Sequence, residues 1–118
     1  MRITLYQYAA CSTCRKAIKW LRDHEVAHES VSIVDHPPDT ALLARIMKIG
    51  KLPIRSLFNV SGESYRKGGF KDRLANMSES EALAALAADG KLIKRPLLIG
   101  EKIALVGFDE AAYGAKLR

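Results

Sequence analysis

The chain predicts an α/β fold: a mixed sheet of about four strands, helices on both faces and a helical insertion in the middle. Three observations carry that prediction. A short β-forming run passes into an amphipathic helix and then into a second β-rich run. A strongly capped, alanine-rich helix follows in the last third, and two apolar runs separated by Gly-Glu precede a closing helix. A length of 118 residues matches one ordinary domain able to bury a continuous core without a metal or disulfide staple.

The elements follow in order. "ITLYQYA", residues 3–9, is rich in β-formers, lacks a breaker and reads as a buried strand ending just before Cys11. Cys14, Ala17, Ile18 and Leu21 then repeat as the apolar stripe of a helix running to about His24. "HESVSIV", residues 28–34, is β-branched and alternating, which gives a second strand and a βαβ unit. In "DHPPDT" the prolines end that strand and Asp39 can cap the next helix, defined by Leu42, Leu43, Ile46 and Met47, with Gly50 placed to stop it.

Residues 51–76 carry a weaker pattern broken by Pro53, Gly62, Gly68 and Gly69, and predict loops with one or two helical turns. "MSESEALAALAADG" predicts a helix whose Ser78 and Glu81 form a capping box and whose stop is Gly90. "PLLI", "GE" and "KIALV" predict a hairpin with a two-residue type II′ loop, and "FDEAAYGAKL" a closing helix capped by Asp109. This order is thioredoxin-like, with a helical insertion over about residues 38–90 of a single domain spanning 1–118.

Composition narrows the function. The chain is 48% hydrophobic and 27% charged, with no apolar run long enough to span a bilayer and no secretory leader pattern at "MRITLYQY", so a cytoplasmic protein is expected. A formal charge of +6 favours anionic partners. The basic group Arg66, Lys67, Lys71 and Arg73 lacks interleaved aromatics in RNA-binding spacing, so a solvated face is expected there and no direct nucleic-acid contact.

The two cysteines, Cys11 and Cys14, stand together as C-x-x-C on the first strand-to-helix turn. In a reducing compartment that pattern points to redox or metal chemistry. A free thiol titrates near pH 8.5, and a helix N-terminus or nearby cations can lower that, in extreme C-x-x-C cases to about 3.5. Cys11 sits where the unpaired amides of the helix start can reach its sulfur, and Cys14 lies one turn further in. Cys11 is therefore the candidate attacking thiolate and Cys14 the resolving thiol. Arg15 and Lys16 place positive charge where the helix dipole disfavours it, and a bound anion is the simplest compensation.

Two other readings of the pair stand beside this one. The cysteines can be small buried hydrophobes. They can also be half of a zinc site with His24 and His28, although the cysteines open the helix and His24 ends it, roughly 15 Å away at about 1.5 Å per residue. No metal site is assigned, and His24, His28 and His36 take no role.

"CSTCRKA" on the first turn, "KRPLLI" before the hairpin, "VGF" closing it and "FNVSGESYRKGGF" between them resemble the arsenate reductase ArsC and Spx/MgsR family across essentially the whole chain. The resemblance is greatest to its short bacterial members that carry C-x-x-C. It implies that Cys11 matches the cysteine that attacks arsenate in the reductases, which then use glutathione and glutaredoxin. No bound cofactor is implied, and glutathione enters as co-substrate. Arg95 matches an oxyanion-binding arginine, Pro96 a cis-proline beside the active cysteine, and Arg55 a second anion-binding arginine.

Two departures accompany the likeness. Gly107 stands where the reductases place a third arginine, and Cys14 supplies the second cysteine of an Spx-like redox switch. The residue six after Cys11 is Ala17, which excludes the phosphatase-like reductases built on C-x5-R. The expected function is a glutathione- or glutaredoxin-linked thiol oxidoreductase acting on a small oxyanion or a mixed disulfide. The alternative is a redox-sensing regulator that binds the RNA polymerase α subunit, for which Gly50 is the candidate contact.

Overall fold

A computed structural model describes residues 2–117. Its strands are β1 (Thr4–Gln7), β2 (Glu29–Ser32), β3 (Leu97–Ile99) and β4 (Ala104–Val106). They form one mixed sheet in the order β2-β1-β3-β4, with β1 parallel to β2 and both β1·β3 and β3·β4 antiparallel. Helix α1 (Ser12–Asp23) is the crossover between β1 and β2, and α6 (Glu110–Leu117) follows β4. Between β2 and β3 lie α2 (Thr40–Gly50), α3 (Glu63–Lys67), α4 (Phe70–Arg73) and α5 (Glu79–Ala88).

The period of two along each strand divides the core between the sheet faces. Leu5 and Leu98 are partners across β1 and β3, and both are fully buried with Ala17, Trp20 and Leu21 of α1 and Tyr113 of α6. Leu97 and Ile99 point the other way, into a second cluster with Leu43 and Ile46 of α2 and Ala82 and Leu86 of α5. Each face is thereby covered, as a sheet flanked by helices requires.

The caps expected on chemical grounds form. Asp39 accepts from the Leu42 amide at 2.8 Å, and Ser78 and Glu81 make both bonds of the capping box, at 3.1 and 2.9 Å. Asp109 accepts from the Ala111 amide at 3.1 Å at the start of α6.

Several local expectations are corrected. Gly50 does not terminate α2 as a left-handed residue: Lys51 takes that conformation at φ 53° and ψ 47°, while Gly50 remains helical. Gly50 is needed for a different reason, because a Cβ there would lie 2.7 Å from the Ala104 carbonyl oxygen of β4. Gly90 likewise does not end α5, whose cap is Asp89. It opens a 3-10 turn (Gly90–Leu92), and a Cβ on it would lie 1.9 Å from the Ile33 carbonyl oxygen.

The hairpin loop also differs. The Gly100 amide bonds the Ile103 carbonyl at 2.7 Å, so the turn centres on Glu101 and Lys102 rather than Gly100 and Glu101. Gly100 is not among the residues with positive φ, which a type II′ turn needs at its first central position. The middle segment holds more helix than expected: α3 and α4 are flanked by 3-10 turns at Ile54–Leu57 and Leu74–Asn76, anchored by Leu57, Phe58, Phe70 and Leu74 in the core. Among the described residues no helix is long and apolar enough to cross a membrane.

These close approaches separate the glycines by consequence. Gly90→Ala should lower unfolding stability in urea by at least about 2 kcal/mol, since the new methyl meets backbone that cannot swing aside. Gly114→Ala, on α6 with nothing within 4 Å of the new atom, should raise it by about 0.5–1 kcal/mol. Equal effects at the two positions would contradict this packing.

Candidate active site

The turn between β1 and α1 is built by its own backbone. The Cys11 amide donates to the Tyr8 carbonyl at 2.9 Å, and Cys11, with φ −88° and ψ 116°, stands at the N-cap of α1. Its side chain takes the place usually held by serine or aspartate: the sulfur accepts the Cys14 amide at 3.3 Å. Cys11 is partly exposed, whereas Cys14 is completely buried between the helix and the sheet.

Arg95 completes the site from the other side of the sheet's end. The Arg95–Pro96 peptide is cis, and the Pro96 carbonyl accepts the Gly107 amide at 2.8 Å, which draws the loop after β4 toward the cysteine turn. The Arg95 guanidinium lies over the Tyr8 ring, 5.0 Å from its centre, and donates to the Lys91 carbonyl at 3.4 Å. Cys11, Thr13, Asn59, Lys94, Arg95 and Gly107 line a cleft of about 480 Å³ around the sulfur.

The two thiols are driven apart electrostatically. Partial burial alone would favour a neutral Cys11. Hydrogen bonds from the Cys14 side chain and backbone outweigh it, followed by the hydrogen bond and charge of Arg95, and hold the Cys11 thiol below its ordinary range. Burial first, and then its hydrogen bond to Cys11, push Cys14 up to about 12. One sulfur is thus poised to ionise while the other keeps its proton, the asymmetry that an attacking and a resolving thiol require.

The remaining candidates fall outside this cluster. Arg15 folds back to donate to the Ala9 carbonyl at 3.3 Å, and Arg55 is exposed on the 3-10 turn at Ile54–Leu57; neither lines the cleft. His24 stacks on Trp20 with ring centres 3.9 Å apart. Among the described residues no group of three His, Cys, Asp or Glu is arranged to hold a metal ion.

Lys94 and Asn59 line the cleft without any assignment from the sequence. Lys94 stands beside Arg95 in "KRP", and its side chain crosses over Gly107: a Cβ at Gly107 would lie 3.3 Å from Lys94 Cε and 3.9 Å from Nζ. Gly107 also has φ 75°, which disfavours any larger residue. Asn59 reaches the cleft because residues 57–59 run antiparallel to 92–94, with Asn59 N bonded to Leu92 O at 2.8 Å and Lys94 N to Leu57 O at 2.8 Å. That pairing joins segments distant in sequence, and no local pattern announces it.

Residues 6–116 match the ArsC family. The chain belongs to that family. An uncharacterized protein from Bacillus subtilis, YusI, is 44% identical over 93% of this chain and 93% of its own. A protein described as a possible arsenate reductase from Streptococcus mutans has a solved structure that superposes with a TM-score of 0.88 at 38% identity, covering 96% of each chain. The global transcriptional regulator Spx of Streptococcus agalactiae is 27% identical over 92% of this chain and 77% of its own. The fold of this ArsC-family chain is accordingly the thioredoxin-like one.

At neutral pH, a small alkylating reagent should therefore modify one thiol, identified by peptide mapping as Cys11, with Cys14 reacting only after unfolding. Arg95→Met should slow that reaction several-fold. Equal labelling of both cysteines, or an Arg95→Met rate equal to wild type, would contradict the arrangement.

Proposed function

We propose that this ArsC-family protein is a thiol oxidoreductase of the arsenate-reductase type, in which the Cys11 thiolate attacks a small oxyanion or a glutathione mixed disulfide in a reducing compartment such as the cytoplasm. The observation that carries the reading is the Cys11 sulfur at the mouth of α1, accepting the Cys14 amide and open to a cleft containing Arg95. A guanidinium fork suits carboxylates and tetrahedral oxyanions, and the helix start adds unpaired amides.

With an oxyanion, the sulfur displaces one oxygen, which leaves as water after protonation. A second thiol, from glutathione or glutaredoxin, then joins Cys11 in a disulfide, and the two electrons released reduce the central atom. Cys14 then attacks the Cys11 sulfur, which forms a Cys11–Cys14 disulfide and releases the second thiol. Two further molecules of glutathione reduce that disulfide to return Cys11 as thiolate, themselves leaving as glutathione disulfide. Lys94, lying across Gly107, supplies a second positive charge beside the position where the family resemblance implies an arginine. An ammonium is a point charge rather than a fork, so the site holds anions with less geometric selectivity.

A regulatory reading has one observation in its favour, the 27% identity to Spx across most of this chain. Gly50, its candidate contact, is already accounted for by the approach of the Ala104 carbonyl. The enzymatic reading therefore comes first. Retention of the carboxy-terminal domain of RNA polymerase α, with or without oxidant, would favour the regulator, and absence of retention in both conditions counts against it.

The enzymatic reading expects Cys11→Ser to abolish glutathione-dependent reduction of arsenate or of a small disulfide. Cys14→Ser should leave a mixed disulfide on Cys11, visible as one added glutathione by intact mass. Full turnover by Cys11→Ser would refute the proposal.

A further inference from the structure

Tyr8 precedes Cys11 by three residues and touches the site in two ways. Its carbonyl accepts the Cys11 amide at 2.9 Å, which closes the turn that places the sulfur. Its ring faces the Arg95 guanidinium, whose carbon lies 5.0 Å from the ring centre. That ring is half-buried and packs against the core cluster on the α2 and α5 side of the sheet, so its position is set by the core.

The rest of the hold on Arg95 is slight. Apart from its contact with Cys11, the guanidinium makes one hydrogen bond, from Nη1 to the Lys91 carbonyl at 3.4 Å, and Nε is buried without a partner. Carboxylates stand nearby: Asp109 lines the cleft around the sulfur, and Glu63 and Asp89 line an adjoining cleft of about 670 Å³ that Arg95 also borders. Among the described residues none of them forms an ion pair with Arg95. Glu63 is paired with Lys67, and Asp89 accepts the Lys91 amide at 3.0 Å. Lys91 and Lys94, the other cations of these two clefts, repel the guanidinium rather than hold it.

This manner of holding a cation has a chemical consequence. A carboxylate would fix the guanidinium but cancel the charge that the Cys11 sulfur and an incoming anion respond to. An aromatic face attracts a cation and leaves its charge in place. Arginine also has many rotamers, and its fork serves a fixed point only when something removes that freedom.

We infer that Tyr8 is a positioning residue, whose ring holds the Arg95 guanidinium at the Cys11 sulfur and thereby sets how strongly the site draws an anion. Tyr8 lies outside the cleft around the sulfur and acts through Arg95. The inference rests on the thiol chemistry proposed for Cys11 and concerns what keeps the cation of that chemistry in place.

Two alkylating reagents of nearly equal size read the position of the charge: iodoacetate, an anion, and iodoacetamide, which is uncharged. With either one the Cys11 thiolate forms a C–S bond and iodide leaves. Modification of Cys11 is followed by peptide mapping across pH. A displaced guanidinium lowers the ratio of the iodoacetate rate to the iodoacetamide rate and moves the pH midpoint up, whereas a merely distorted turn changes both rates and spares the ratio. Tyr8→Leu should lower the ratio by about two- to tenfold and raise the midpoint. Tyr8→Phe keeps the π face and should retain the wild-type ratio and midpoint. In an Arg95→Met background, Tyr8→Leu should change neither any further. Should Tyr8→Leu fail to fold, Tyr8→Met keeps the bulk without the ring and carries the same expectation.

Three results would each overturn the inference while leaving Cys11 as the nucleophile. They are a wild-type ratio in folded Tyr8→Leu or Tyr8→Met, a fall in Tyr8→Phe as large as in Tyr8→Leu, and an undiminished further fall in the Arg95→Met background. A wild-type Cys11 midpoint at or above the ordinary thiol value would overturn the Cys11 reading and the inference with it.

Discussion

The Cys14 amide meets the Cys11 sulfur at 3.3 Å across the first turn of α1, and the site depends on that contact. A sulfur at a helix N-cap does what a serine or aspartate oxygen does elsewhere, satisfying an amide that would otherwise lack a partner. The sulfur performs that job better as an anion. The fold and the reactivity therefore share one hydrogen bond, and a helix that needs a cap favours the ionised thiol. The neighbouring guanidinium of Arg95 acts in the same direction, while partial burial acts against both.

Around that contact the protein keeps its two sulfurs unequal. Cys11 lies at the cleft and Cys14 lies among side chains of the core, although only one helical turn separates them. Tyr113, packed edge-on against Trp20 on the same sheet face, is also pushed up, by burial first and then by the proximity of Cys14. The interior behind the site is thus one in which negative charge is disfavoured, so ionisation is confined to the sulfur facing solvent. A thiol held neutral in this way does not compete with Cys11 for an electrophile entering the cleft.

Much of the fold was legible in the sequence because its signals are local. The apolar stripe of α1, the Asp39 cap, the capping box of Ser78 and Glu81, and the β-branched strand runs each depend on residues within a few positions of one another. The C-x-x-C pair on the strand-to-helix turn was legible for the same reason. What escaped was set by contacts between distant segments. Gly50 and Gly90 looked like helix stops, yet they are glycines because strand carbonyls from Ala104 and Ile33 pass close by. The short helices between residues 51 and 76 are held by core aromatics and leucines rather than by propensity. Lys94 and Asn59 reach the cleft through a backbone pairing that no periodicity shows, and the family resemblance drew attention to Arg55, which is exposed away from the cleft.

The central claim is that, against partial burial, the Cys14 side chain and amide together with Arg95 hold the Cys11 thiol below its ordinary range. It is tested most directly by titrating the ultraviolet absorbance of the thiolate against pH in wild-type and Cys11→Ser protein. The account predicts a single thiol transition below the ordinary value of about 8.5, absent from Cys11→Ser, with Cys14 silent until strongly alkaline pH. A transition at or above the ordinary value, or one that survives in Cys11→Ser, would contradict it.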